Sequence, residues 1–99
     1  MKIAVISSIG TPAEELGNYI PPDTTEILSA GGQGLDESIT EYATLHSILL
    51  TKLNYEKILK QINTRKIDMV LAFWDGNCDE TKAVIDICNN LNIPIRVYV

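Results

Sequence analysis

Three short spans of this 99-residue chain combine glycine with hydroxyl, carboxylate or aromatic residues: "SSIGTP" at 7–12, "AGGQGLDES" at 30–38 and "WDGNCDET" at 74–81. In the second, Gly31, Gly32 and Gly34 remove the side chains that keep a ligand away from backbone N–H groups. A helix opening near Leu35 turns its positive end toward the same place, which suits a phosphate or another anion. Ser7 and Ser8 offer hydroxyls in the first span. Gly76 and Thr81 repeat the combination of a bare turn and a hydroxyl in the third, beside Trp74 and Asp75. No lysine follows the glycines in the Walker manner, so a P-loop is not indicated. Gly32-x-Gly34 is part of a dinucleotide fingerprint, but Glu37 stands where its third glycine belongs. The same glycines also read simply as a tight turn between strand and helix.

Regular elements must bring these spans together. Short apolar runs rich in Ile, Val and Leu predict strands at Lys2–Ser8, Thr25–Ala30, Ser47–Leu53, Asp68–Trp74 and Ile93–Val99. Continuous rather than alternating apolar character marks strands covered on both faces, as in a parallel sheet. Helices are expected between them. "TPAE" at 11–14 is a capping box with proline at the first helical position, opening a short helix that ends near Tyr19. The other apolar stripes are Ile39, Tyr42, Ala43 and His46; Tyr55, Ile58, Leu59 and Ile62 behind Asn54 as cap; and Val84, Ile87, Cys88 and Leu91, opened by Asp79 or its neighbours.

This alternation predicts one α/β domain over residues 1–99: a Rossmann-like, three-layer fold with a five-stranded parallel sheet in order 3-2-1-4-5 and helices on both faces. The order 2-1-3-4-5 fits the same pattern. In the first order, the ends of strands one, two and four meet where strand order reverses, the usual ligand crevice of such sheets. All three glycine-containing spans fall there.

Composition narrows the function classes. The formal net charge is −5, with eight basic and thirteen acidic residues. The basic residues between Lys52 and Lys66 spread around a helix as a solvated face, so no nucleic-acid partner is expected. No apolar run approaches the roughly 18 residues of a membrane span. "MKIAVISS" reads as a buried strand rather than a signal peptide, so a cytoplasmic location without a membrane partner is expected. Cys88 falls on an apolar helical stripe and Cys78 in a loop; with one histidine in the chain, neither a zinc nor a haem site is indicated, and no cofactor is expected. His46 reads as a structural residue at a helix end.

"SAGGQGLDESITEYA" and "DMVLAFWDGNCDETKAVIDIC" resemble the two signature regions of the SLOG superfamily. These Rossmann-like domains include the LOG-type phosphoribohydrolases and the Smf/DprA DNA-processing proteins, and the similarity is greatest to small bacterial YspA/YpsA-related members. The resemblance spans nearly the whole chain. It matches Gly31, Gly32, Gly34 and Asp36 to the turn after strand two, and Trp74, Asp75 and Gly76 to the turn after strand four. Asp36 also reads locally as a cap of the second helix.

The resemblance implies binding of a small nucleotide or nucleotide-derived ligand, and a homodimer. Backbone donors would come from the three glycines and hydroxyl contacts from Ser7, Ser8 and Thr81. Trp74 would wall or stack on the base, and Asp75 would bond a sugar hydroxyl. The chain departs from the family pattern in its first turn, Ser7-Ser8-Ile9, and in Glu80-Thr81 where the family has Gly-Thr. Val84 occupies the position of the hydrolase branch's catalytic glutamate, and that branch's arginine has no match. Ligand binding without catalysis is therefore the leading expectation. A phosphoribohydrolase-like enzyme cleaving N-glycosidic bonds is one alternative, and a domain used only for self- or partner association is another.

Overall fold

The structure, a computed structural model, describes residues 1–7, 19–29, 35–74 and 76–98, with residues 7 and 35–37 described through the backbone alone. The element order is β1 (Lys2–Ser7), β2 (Glu26–Ser29), α1 (Leu35–Leu45), β3 (Leu49–Lys52), α2 (Tyr55–Asn63), β4 (Met69–Phe73), α3 (Asp79–Leu91) and β5 (Ile95–Tyr98). All strand pairs are parallel, and the sheet order is β3-β2-β1-β4-β5. The Rossmann-like order expected from the sequence is the one adopted, and 2-1-3-4-5 is excluded. The helix expected over 11–19 lies outside the described residues, apart from Tyr19, which sits in a turn.

Because side chains alternate across a strand, β1 divides its apolar residues between two cores. Ala4 and Ile6 join Leu28, Val70 and Ala72 beneath Ile58 and Ile62 of α2 and Val84 and Cys88 of α3. Ile3 and Val5 join Ile27, Met69, Leu71 and Phe73 with Ile39 of α1 and Ile20 on the other face. Helices thus cover both faces, and all five residues of β4 are buried. A ring cluster extends the second core: Tyr19 meets Phe73 edge-on at 5.3 Å and Tyr98 at 4.5 Å.

The expected helical stripes pack as the periodicity requires, with two adjustments. His46 falls just beyond α1 and is exposed, its ring tilted over Tyr42 at a centroid distance of 4.2 Å. In α3 the buried line runs Thr81, Val84, Cys88, while Ile87 and Leu91 are only partly covered. Asn54 caps α2 as expected, its side-chain oxygen accepting the Lys57 N–H at 2.8 Å. The cations Lys52, Lys57, Lys60, Arg65 and Lys66 are all exposed.

Strand ends are shorter than expected. Strand three starts at Leu49 rather than Ser47, because Ser47 takes a left-handed φ of 54° in closing α1. Strand five starts at Ile95 rather than Ile93, because Ile93 N–H closes α3 by bonding the Cys88 carbonyl and Pro94 has no N–H to add to a ladder. Among the described residues, no helix is long and apolar enough to cross a membrane.

Candidate functional site

In a parallel sheet every strand ends at the same edge, and every helix that follows a strand begins there. That edge carries Ser7 of β1, Ser29 of β2, Phe73 of β4 and the first residues of α1, α2 and α3. Strand order reverses between β1 and β4, whose last residues, Ser7 and Phe73, are direct partners in the ladder. α1, which follows β2, lies over one face of the sheet, and α3, which follows β4, lies over the other. In sheets of this kind the usual ligand crevice lies outside the strand ends at such a reversal.

Beside the reversal, the described residues include the connection from β4 to α3. Trp74 directly follows β4, and its backbone N–H donates to the Tyr98 carbonyl at 2.8 Å, prolonging the pairing with β5. Its indole N–H donates to the Cys78 carbonyl at 3.1 Å, tying both ends of the connection together. Gly76 has a φ of +89°, in the region glycine favours, yet a Cβ there would meet nothing within 4 Å. The demand on this glycine is conformational rather than steric. Cys78 is the N-cap of α3 but its side chain makes no capping bond, and Asp79 and Glu80 occupy the first turn. The two carboxylates are exposed, and they suit the helix dipole.

Thr81 is fully buried, at 0% exposure, on the packed side of α3. Its hydroxyl lies 3.4 Å from the phenol oxygen of Tyr55, the first residue of α2. This is a long contact by hydrogen-bond standards. Desolvation by burial pushes the Tyr55 phenol above its ordinary pKa; the Thr81 hydroxyl opposes this, and Cys78 and Glu80 add smaller upward pushes. Tyr55 accordingly stays protonated and able to donate at neutral pH. Sequence reading missed Tyr55, because its apolar stripe marks it as a packing residue. Its one available signal was its place immediately after Asn54, at a helix start on the ligand edge.

Of the residues expected to bind a ligand, Trp74 and Gly76 lie on the β4–α3 connection, Thr81 lies in the first turn of α3, and Ser7 lies at the adjoining end of β1. Asp36 is the second residue of α1, inside the first turn rather than at the cap. Ser8, Gly31, Gly32, Gly34 and Asp75 lie outside the described residues. Among the described residues, no group of three or more His, Cys, Asp or Glu side chains is placed to hold a metal ion.

Along one sheet edge lie an indole, a partly buried phenol beside a buried hydroxyl, and three helix starts. Among the described residues, Glu80 is the carboxylate that acts on Tyr55. In comparison with known proteins, no family model matches the chain and no curated protein is similar to it at a significant level.

Proposed function

We propose that this domain binds a small nucleotide or nucleotide-derived phosphate ligand at the carboxyl ends of β1, β2 and β4, as a sensor or carrier of that ligand rather than an enzyme. The observation that carries this reading is the reversal of strand order between β1 and β4, with α1 and α3 beginning at the same edge and leaving over opposite faces. Helix starts supply unpaired N–H groups and positive potential to an anion. The glycines of "AGGQG" occur in the sequence directly before one of these starts. The resemblance of both glycine turns to the SLOG superfamily points the same way. Trp74 serves as the surface for a base, and Tyr55 adds a donor beside Thr81.

Catalysis is the weaker reading. Val84, at the position of the hydrolase branch's glutamate, is fully buried in the core, where a carboxylate would carry a large desolvation penalty. Self-association is a second reading that can stand beside binding. Leu45 and Leu49, at the end of α1 and on edge strand β3, are large apolar side chains left exposed, and a homodimer through this edge would cover them.

Thermal melting against nucleoside monophosphates, cyclic nucleotides and ADP-ribose-like compounds tests the proposal. A ligand bound to the folded state at a hundredfold excess over its dissociation constant contributes about 2.7 kcal/mol, a shift of roughly 10 °C or more for a domain of this size. The expected result is such a shift with one compound class, abolished by Gly32→Val. A flat response across the panel, with an oligomer that persists in Gly32→Val, would replace ligand binding with association as the function.

A further inference from the structure

A second cleft lies at the opposite edge of the sheet. Its volume is about 460 Å³, and it is lined by Ile20, Pro21, Pro22, Thr24, Tyr42, His46 and Ile48. Thr24 precedes β2, Ile48 precedes β3, and His46 follows α1. The cleft therefore belongs to the amino-terminal edge, away from the crevice between β1 and β4.

Two short segments build it. Pro21 to Thr24 form a turn closed by the Thr24 N–H donating to the Pro21 carbonyl at 3.2 Å. Tyr42 and His46, four positions apart and so on one side of the helix end, present rings inclined by 31°. Aromatic rings from one segment and pyrrolidine rings from the other give the cleft flat sides, whose surface is about as polar as it is apolar. Ile20 and Ile48 add aliphatic lining, and its volume is in the range of about 300–1,000 Å³ usual for small-molecule sites.

Thr24 is the feature that packing does not account for. It is 7% exposed, and among the described residues its hydroxyl is the buried side-chain oxygen without a hydrogen-bond partner. A valine would fill the same volume without that unpaired group. The residue lines the cleft, while its hydroxyl is covered in the present rotamer. One χ1 step between staggered rotamers carries the hydroxyl to the place of the methyl and the methyl to the place of the Cβ hydrogen, which turns the hydroxyl toward a polar atom of a cleft ligand.

We propose that this cleft binds a small planar aromatic compound carrying one hydrogen-bonding substituent, of the phenol or indole class. The ring is held by Tyr42, His46 and the two prolines, and the substituent bonds the Thr24 hydroxyl. This site is independent of the nucleotide reading, since its residues come from the other edge of the sheet.

The chain has a single histidine and a single tryptophan, one at each edge, so NMR can assign binding to an edge directly. Phenol and indole are titrated into the full chain while the His46 ring protons and the Trp74 indole N–H are followed. The expected result is a saturable shift of His46 with a dissociation constant on the order of 1 mM or tighter, with Trp74 unmoved. Thr24→Val is expected to melt no lower than the parent protein and to bind phenol at least about fivefold more weakly, while Tyr42→Ala abolishes the shift. Retained melting in Thr24→Val separates loss of binding from loss of fold. The proposal is overturned by an unshifted His46, by a shift at Trp74 alone, or by Thr24→Val binding phenol as tightly as the parent.

Discussion

Cys88 and Tyr55 both carry ionisable groups that the fold keeps neutral. Cys88 is fully buried between α3 and the sheet, and desolvation pushes its thiol from 9.0 up to about 11. Folding therefore favours the protonated form. The contribution is fully present below the unfolded value near pH 9, and it is lost as pH rises to the folded value. A shift of this size corresponds to roughly 2–3 kcal/mol. The raised phenol of Tyr55 acts in the same direction above its ordinary value of 10.0. Denaturant unfolding between pH 8 and pH 11 should show stability falling across the upper half of that range. Cys88→Ala, though less stable throughout because of the cavity it leaves, should show a visibly flatter decline. An unchanged slope in that variant would mean the thiol ionises in the folded protein as easily as in the unfolded chain. The burial behind this effect was legible in the sequence, since Cys88 falls on the stripe with Val84. The proximity of Tyr55 to Thr81 was not, because 26 residues separate them and only the packing of α2 beside α3 brings them together.

The start of α2 lies where its sequence signal says, that of α1 one residue before its expected cap Asp36, and the ends carry little signal. Asn54 marks the start of α2 by a side chain whose only suitable partners are the first free N–H groups of a helix. The ends share one device with no glycine in it. Ser47, Arg65 and Asn92 take left-handed φ values of 54°, 56° and 58° after α1, α2 and α3. In each case the next residue's N–H reaches back five positions: Ile48 to Ala43 at 2.9 Å, Lys66 to Gln61 at 3.0 Å and Ile93 to Cys88 at 2.9 Å. This is the Schellman closure, which glycine normally announces. Without glycine, Ser47 and Ile93 read as the first residues of strands, two residues before β3 and β5 begin. The left-handed conformation costs a residue with a Cβ about 1 kcal/mol or more. Asparagine bears it best, through local hydrogen bonds of its side chain. Ser47→Gly should therefore raise the unfolding free energy by about 0.5–1 kcal/mol, with an unchanged denaturant slope. Asn92→Gly should be close to neutral. Arg65→Gly makes a poorer probe, because the Arg65 guanidinium also donates to the Leu91 carbonyl at 2.9 Å. If Ser47→Gly lowers stability, the closure of α1 depends on the serine side chain rather than on its backbone.

At the scale of the molecule, the layer order follows from a few short apolar runs because a parallel sheet leaves little freedom. Strands buried on both faces need helices above and below, and right-handed crossovers fix where each helix goes. The sheet edge that carries Ser7, Trp74 and the starts of α1 and α3 was legible for the same reason, since any turn that follows a strand must lie there. The amino-edge cleft was not legible. Pro21, Tyr42 and Ile48 belong to separate elements and carry no shared motif, and only the return of α1 to the start of β3 gathers them. The same architecture predicts a gradient of local stability. β1 and β4 are flanked by strands on both sides, and β4 is wholly buried, whereas β3 is an edge strand with Leu49 62% exposed. Amides of β4 should exchange with solvent only through global unfolding, while those of β3 open locally and exchange on the order of tenfold to a hundredfold faster. Hydrogen exchange at two protein concentrations tests this and the self-association reading together. Fast exchange in β3 at both concentrations identifies an open edge. Protection of β3 that rises with concentration, while β4 stays constant, would mean that a second copy of the chain covers this edge and the leucine beside it.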